Sequence, residues 1–258
     1  MLLLDSQEIH LWLCFVDELH EHQLLQRYRL LLTQQELQTE QRYHFPKDRH
    51  RYLVTRALVR TVLSRYAPVT PQQWTFASNA HGKPAIANRE PLAQGITFNV
   101  SHTQGLIVIG VCRRAALGVD VENLRTRRAL LDAADVVFSS EEALAIARLP
   151  TALQHERFFQ YWTLKEAYLK ACGTGMSVPL TQFGFEFLPQ DRVRLSLHVS
   201  LPQDASRWRF WQFKPSPDHL LSVCAEHGGS CASEFVFRKT IPLGADELLR
   251  FTPVLTSQ

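Results

Sequence analysis

The sequence contains no long apolar run. The stretch "GLIVIGV", Gly105 to Val111, is far short of the roughly 20 residues a membrane-spanning helix needs. The opening "MLLLDSQEIHLWLCF" lacks the basic start of a secretory signal, and Asp5 and Glu8 interrupt it, so it reads as a first strand. No CxxC pair occurs. The five cysteines, Cys14, Cys112, Cys172, Cys224 and Cys231, are scattered and odd in number, which argues for reduced thiols in a cytoplasmic protein. "CAEHGGSC" offers Cys224, His227 and Cys231, but a structural zinc site wants a fourth ligand, and a Gly-rich loop after a strand accounts for the pattern. A strong charge of either sign is also missing. The net charge of +3 favours anionic partners only slightly.

The 258 residues are long for one compact domain and short for two ordinary ones, so two small, intimately packed halves are an option beside one large domain. "IHLWLCFV" predicts a strand, and Leu19 to Gln41 a helix-rich stretch. In "FPKDRHRYLVTRALVRTVLSRY", Asp48 is placed to cap a helix behind Pro46. Leu53, Ala57 or Leu58, Val62 and Leu63 form its apolar face; Arg49, Arg56 and Arg60 fall on a basic one. "WTFASNAHGKPAI" reads as a strand broken by a turn, "GITFNVSHTQGLIVIGVC" as two strands, and "AALGVDVENLR" as another. "VFSSEEALAIARL" opens a helix with a capping box between Ser139 and Glu142. "ERFFQYWTLKEAYLKACGTG" is a long helix ended by Gly173 and Gly175, and short antiparallel strands follow. Each half thus has a long helix and a small meander. Overlaying "YLVTRALVR" on "YWTLKEAYL" matches apolar positions, as a diverged duplication would, with a seam near Cys112 to Leu117.

In "GVDVE", Asp120 and Glu122 are two apart on a strand and so share a face, while Val119 and Val121 point into the core. The pair is either two solvated edge acids or the oxygen ligands of a hard cation such as Mg²⁺. In the long helix Trp162, Glu166, Leu169 and Lys170 share a face, which fits an exposed Glu–Lys pair or a functional one. Together the two stretches offer three carboxylates beside a lysine, a set suited to phosphoryl chemistry. "HGKPAI" puts Gly82 and Lys83 in a turn where backbone and a point charge can approach phosphate, and "NVSHT" adds Ser101 and His102. Ser101 and His102 are adjacent on a strand and point apart, so they do not form a nucleophile–base pair.

In this order and spacing, "HGKPAI", "FNVSHT", "GVDVE", "FSSEE" and "WTLKEAYLKACGTG" resemble the 4′-phosphopantetheinyl transferases, of the two-halved, Sfp-like kind. The likeness runs from about Phe45 to Gly175. It implies an α+β fold: a monomer of two similar α/β subdomains, residues 1–114 and 115–258, each a long helix on a small, mostly antiparallel sheet, related by a pseudo-two-fold axis. Coenzyme A would bind between them. By the same resemblance Asp120, Glu122 and Glu166 hold Mg²⁺ on its pyrophosphate. His81, Gly82, Lys83 and Pro84, with Asn99, Ser101 and His102, hold the adenosine and its 3′-phosphate, and Lys170 meets the pyrophosphate. Glu166, Lys170 and His102 are the expected catalytic set. Gly173 and Gly175 would turn the chain away where an apo carrier protein approaches. Family members often place lysines where Glu36 and Thr39 stand here, so Lys47 and Arg51 are the substitutes for gripping the 3′-phosphate. A Mg²⁺-dependent phosphodiesterase using the same acids is the alternative. An RNA-binding module is disfavoured by the low net charge and the lack of interleaved aromatics on the basic helix, and neither nucleic acid nor membrane is expected as a partner.

Overall fold

The chain buries both faces of its first strand, β1 (Glu8–Phe15), between two different cores: Trp12 and Cys14 on one side, Leu11 and Leu13 on the other. That explains the near-continuous apolar run, since a strand covered on both faces has no polar side to alternate. The computed structural model describes residues 1–19, 21–113, 116–125, 134–198, 204–227 and 234–257. Cys231 of the possible zinc pattern, and part of the expected seam, lie outside them.

The helix-rich stretch is two helices, α1 (His22–Arg29) and α2 (Gln34–Arg42), divided where Thr33 and Glu36 form a reciprocal capping box. Helix α3 (Pro46–Leu63) starts at its proline, with Phe45 at the N-cap and no side-chain cap. Asp48 is therefore not the cap. Proline's fixed φ already suits the first helical position, and Asp48 sits in the first turn, paired with Arg51 at 2.8 Å. The basic face is also corrected: Arg60 is fully buried, donating to Glu36 at 2.8 Å and to the carbonyls of Pro71 and Trp74, while Arg56 takes the other Glu36 oxygen.

A small hairpin, β2 (Phe76–Ser78) and β3 (Pro84–Ile86), precedes β4 (Ile96–Thr103), β5 (Leu106–Arg113) and β6 (Leu117–Asn123). Then come α4 (Ala134–Val137), α5 (Ser140–Ala147) and α6 (Thr151–Cys172). The Ser139–Glu142 capping box is present, and α6 ends on Gly173 at φ 69°, a left-handed conformation that glycine adopts without penalty. The remaining strands are β7 (Phe183–Leu188), β8 (Arg192–Leu197), β9 (Trp208–Ser216), β10 (His219–Glu226), β11 (Glu234–Thr240), β12 (Asp246–Leu249) and β13 (Leu255–Ser257).

Two mixed sheets result, of order β12-β11-β1-β5-β4 and β6-β10-β9-β13-β8-β7. Helix α3 covers the outer face of the first and α6 that of the second, and the inner faces pack together through Leu11, Leu13, Val119, Val121, Leu221 and Val223. The fold is α+β, in four layers. The tail does not stay with residues 115–258: β11 pairs parallel with β1 and so belongs to the first sheet, while β13 returns to the second. Main-chain pairing with β1 and burial of Phe237 between the sheets draw it across.

Candidate active site

Where the two sheets meet, edge strands β4 and β6 lie side by side. Asn99 Oδ1, Ser101 Oγ and Thr103 Oγ1 accept from the backbone N–H groups of Val119, Val121 and Asn123 at 2.8, 3.2 and 3.1 Å. Every second side chain of β4 thus satisfies every second donor of β6, a stitch possible because strand side chains repeat with period two. Gly118 permits the next contact. A Cβ there would lie 1.9 Å from the Ala167 carbonyl oxygen, so α6 rests directly on the β6 backbone.

This stitching brings the expected acids together. Ser101 Oγ donates to Asp120 Oδ1 at 2.9 Å, and Lys170 Nζ donates to the same oxygen at 2.7 Å and to Ser101 Oγ at 2.9 Å. Thr103 Oγ1 donates to Glu122 at 3.2 Å, and the Trp162 indole hydrogen-bonds Glu122 as well. Burial, then the charge of Asp120, pushes the Glu122 carboxyl up to about 7, and the same two causes raise Glu166. Asp120 Oδ2 is buried and receives no hydrogen bond. An all-oxygen donor set with one orphaned buried carboxylate oxygen and mutually repelling neighbours fits a hard divalent cation. As they stand, no three acidic, histidine or cysteine side chains among the described residues converge at ligand spacing, so sharing one ion requires side-chain rotation.

Beside the acids opens a cleft of about 780 Å³, lined by Phe45, Lys47, Asp48 and Arg51 at the start of α3 and by Thr103 and Gly105 of the β4–β5 turn. Thr103 belongs to both, touching the cleft and Glu122. His102 is surface-exposed on β4, and the surrounding protein, then Arg51, lowers its pKa, which favours the neutral ring.

The "HGKP" turn lies elsewhere. Lys83 Nζ donates to the carbonyls of Leu117 and Ala171 at 3.1 and 3.0 Å, Asn79 donates to Gly173, and Gly175 abuts His81. Burial lowers the Lys83 pKa. The turn therefore clamps the end of α6, covering Gly173 and lying against half-buried Gly175. What this turn presents is the exposed His81 and Gly82, with half-buried Pro84, not the lysine charge. Thr103 and the Gly105 turn were not foreseen. The Asn99–Ser101–Thr103 alternation was the signal that could have found the first. Lys165, next to Glu166, is fully buried and paired with Glu142 at 2.8 Å, away from the site acids.

Comparison with known proteins agrees with this arrangement. Residues 116–224 match the family described as the 4′-phosphopantetheinyl transferase superfamily, and residues 19–113 match 4′-phosphopantetheinyl transferase, N-terminal. The chain is 32% identical over 218 residues to 4′-phosphopantetheinyl transferase HetI of Nostoc sp., covering 84% of this chain and 87% of that one. It is 28% identical over 202 residues to 4′-phosphopantetheinyl transferase Sfp of Bacillus subtilis (78% and 85%), and 27% over 225 residues to a phosphopantetheinyl transferase of Thraustochytrium sp. (81% and 76%). All three are named as transferases, so the phosphodiesterase alternative finds no support. These matches over both halves place the chain in the 4′-phosphopantetheinyl transferase family, in its two-halved, Sfp-like form.

Proposed function

We propose that this transferase moves the 4′-phosphopantetheine arm of coenzyme A to a serine of an apo carrier protein, with Mg²⁺ held by Asp120, Glu122 and Glu166. The observation that carries the metal assignment is the orphaned, buried Asp120 Oδ2 between two carboxyls of raised pKa. When bound, the ion would neutralise charge on the pyrophosphate oxygens. Lys47 and Arg51, in the opening turns of α3 where the helix dipole favours an anion, hold the 3′-phosphate. His81, Gly82 and Pro84 offer a surface for the adenosine, and His102 a hydrogen bond from a neutral ring. Ser101 and Asn99 act through β6, holding Asp120 in place.

The serine oxygen forms the new bond to the phosphorus bearing the pantetheine arm, and the bond to the bridging oxygen breaks, releasing adenosine 3′,5′-bisphosphate. Glu166, whose carboxyl burial and then the charge of Asp120 raise above its ordinary value, takes the serine proton. Lys170 offsets charge on the departing phosphate. The buried thiols of Cys14, Cys112 and Cys224 suit a reducing, cytoplasmic setting, and a monomer suffices because both halves of the site lie in one chain. No helix of the described residues is long and apolar enough to cross a membrane.

The test is incubation with coenzyme A, Mg²⁺ and a panel of apo carrier proteins, followed by mass spectrometry. A gain of one phosphopantetheine arm on a carrier is expected and is abolished by chelator. Release of free phosphopantetheine with no carrier modified would overturn the reading.

A further inference from the structure

A row of polar side chains crosses the second sheet beneath α6. Asp120 on β6 stands opposite Ser222 on β10, and Ser222 stands opposite Gln212 on β9, so all three share the α6 face. Ser222, Gln212 and the helix residue above them, Thr163, are fully buried amid apolar neighbours. Their hydrogen bonds run one way. Gln212 Nε2 shares its two hydrogens among the Gln160 carbonyl at 2.9 Å, Ser222 Oγ at 3.0 Å and Thr163 Oγ1 at 3.1 Å. Ser222 Oγ donates to Thr163 Oγ1 at 2.7 Å, and Thr163 donates to the Phe159 carbonyl at 2.8 Å. A carbonyl only accepts, so the Gln160 contact orients the amide, and the chain ends on the backbone of α6.

The lengths match. From Asp120 to Gln212 the row spans two inter-strand steps, about 9.6 Å. From Thr163 to Lys170 the helix rises about 10.5 Å. Thr163 rests on the Ser222–Gln212 end of the row and Lys170 on its Asp120 end, with Glu166 between them. Gly118 lets the backbone of α6 come close and Lys83 ties its C-terminal end to β6, so the network holds the helix at the end away from that clamp.

We infer that Thr163, Ser222 and Gln212 are positioning residues for the transfer reaction, setting the height of α6 so that Glu166 and Lys170 meet Asp120. This rests on the site reading above. Among the described residues no hydrogen bond joins Thr163, Ser222 or Gln212 to Asp120, Glu122 or Glu166, so the network bears on the acids through packing and the helix.

The experiment compares Thr163→Val, which keeps shape and loses the hydroxyl, with Thr163→Ser, which keeps the hydroxyl, Ser222→Ala, and Asp120→Ala as control. Fold is checked by circular dichroism and melting, and transfer to an apo carrier protein is followed against Mg²⁺ and coenzyme A. Misplacement of about 1 Å costs up to about 10²-fold, so Thr163→Val and Ser222→Ala should lower kcat by about 10-fold or more and raise the Mg²⁺ needed for half-maximal rate. The KM for coenzyme A should stay within about twofold, because the 3′-phosphate is gripped from the first half, and Thr163→Ser should restore kcat. A lower melting temperature with kcat and Mg²⁺ dependence unchanged would overturn the inference alone, provided Asp120→Ala is inactive. Full activity in Asp120→Ala would overturn the site reading, and the inference with it.

Discussion

Both halves of the molecule place a short capped helix before a long one, and in both the third residue of the short helix is a glutamate that meets a cation on the long helix. Glu36 of α2 takes Arg56 and Arg60 of α3; Glu142 of α5 takes Lys165 of α6. Overlaying residues 52–60 on 161–169 puts Arg56 on Lys165, Ala57 on Glu166 and, just beyond, Thr61 on Lys170. The shared pair is scaffold. The difference comes next on the helix: where α6 carries the acid and lysine of the site, α3 carries a buried alanine and a threonine bonded back to Ala57. Glu142 and Asp120 differ in satisfaction. Glu142 also accepts from the N–H groups of Ser139 and Phe185, whereas Asp120 leaves one buried oxygen without a partner.

The largest effect should come from breaking the scaffold pairs. Removing one partner of a buried pair leaves the other charged and unpaired, which costs about 3–5 kcal/mol. Glu142→Ala strands Lys165, and Glu36→Ala strands Arg60, so urea unfolding should show losses of that size in both. A negligible loss in one would end the equivalence of the halves. Asp120→Ala has no counterpart in the first half. It should lower transfer on the order of 10²–10³-fold, the scale of removing one preorganised electrostatic contact. The melting temperature should fall less than in the scaffold variants, because relief of repulsion among three acids offsets the lost contacts to Ser101 and the half-buried Lys170. Transfer at the wild-type rate under limiting Mg²⁺ would remove Asp120 from the site.

Acid should reveal the Glu36 pair at lower cost. Burial opposes its ionisation, but Arg56, the Thr33 N–H and Arg60 outweigh burial and hold the carboxyl below its ordinary range. A lowered folded-state pKa adds stability that is fully present above the unfolded value, about 4.3, and is lost as pH falls through the folded value. Wild type should therefore be more stable than Glu36→Gln near neutral pH, and the margin should shrink below about pH 4. A margin independent of pH would mean that the carboxyl is not held low. The smallest effect concerns ligand recognition by the first half. Pairing Lys47→Ala with dephospho-coenzyme A, which lacks the 3′-phosphate, should give a coupling of about 1 kcal/mol. Equal losses for both ligands would assign Lys47 another role.

The acids of the site were legible because their signals are local: Asp120 and Glu122 alternate on one strand, and Glu166 and Lys170 are one turn apart on one helix. Their partners were not, since Ser101 and Thr103 reach them only through the meeting of two sheet edges, and no local pattern reports which edges meet. Lys83 and Arg60 misled for one reason. A cation in a turn or on a helix looks exposed until distant carbonyls or a distant acid close over it, as Ala171 and Glu36 do. The route of β11 was hidden as well, because "EFVFRKT" reads as a strand in either sheet and only its pairing with β1 decides.

We propose a division of labour between the halves, in which the first grips coenzyme A and the second performs the transfer. Steady-state kinetics of Glu166→Gln beside Lys47→Ala, with an apo carrier protein and varied coenzyme A, test it most directly. Glu166→Gln should lower kcat on the order of 10²–10⁴-fold, with little change in KM for coenzyme A. Lys47→Ala should raise that KM and leave kcat near wild type. Two variants that move the same parameter by the same factor would contradict the account.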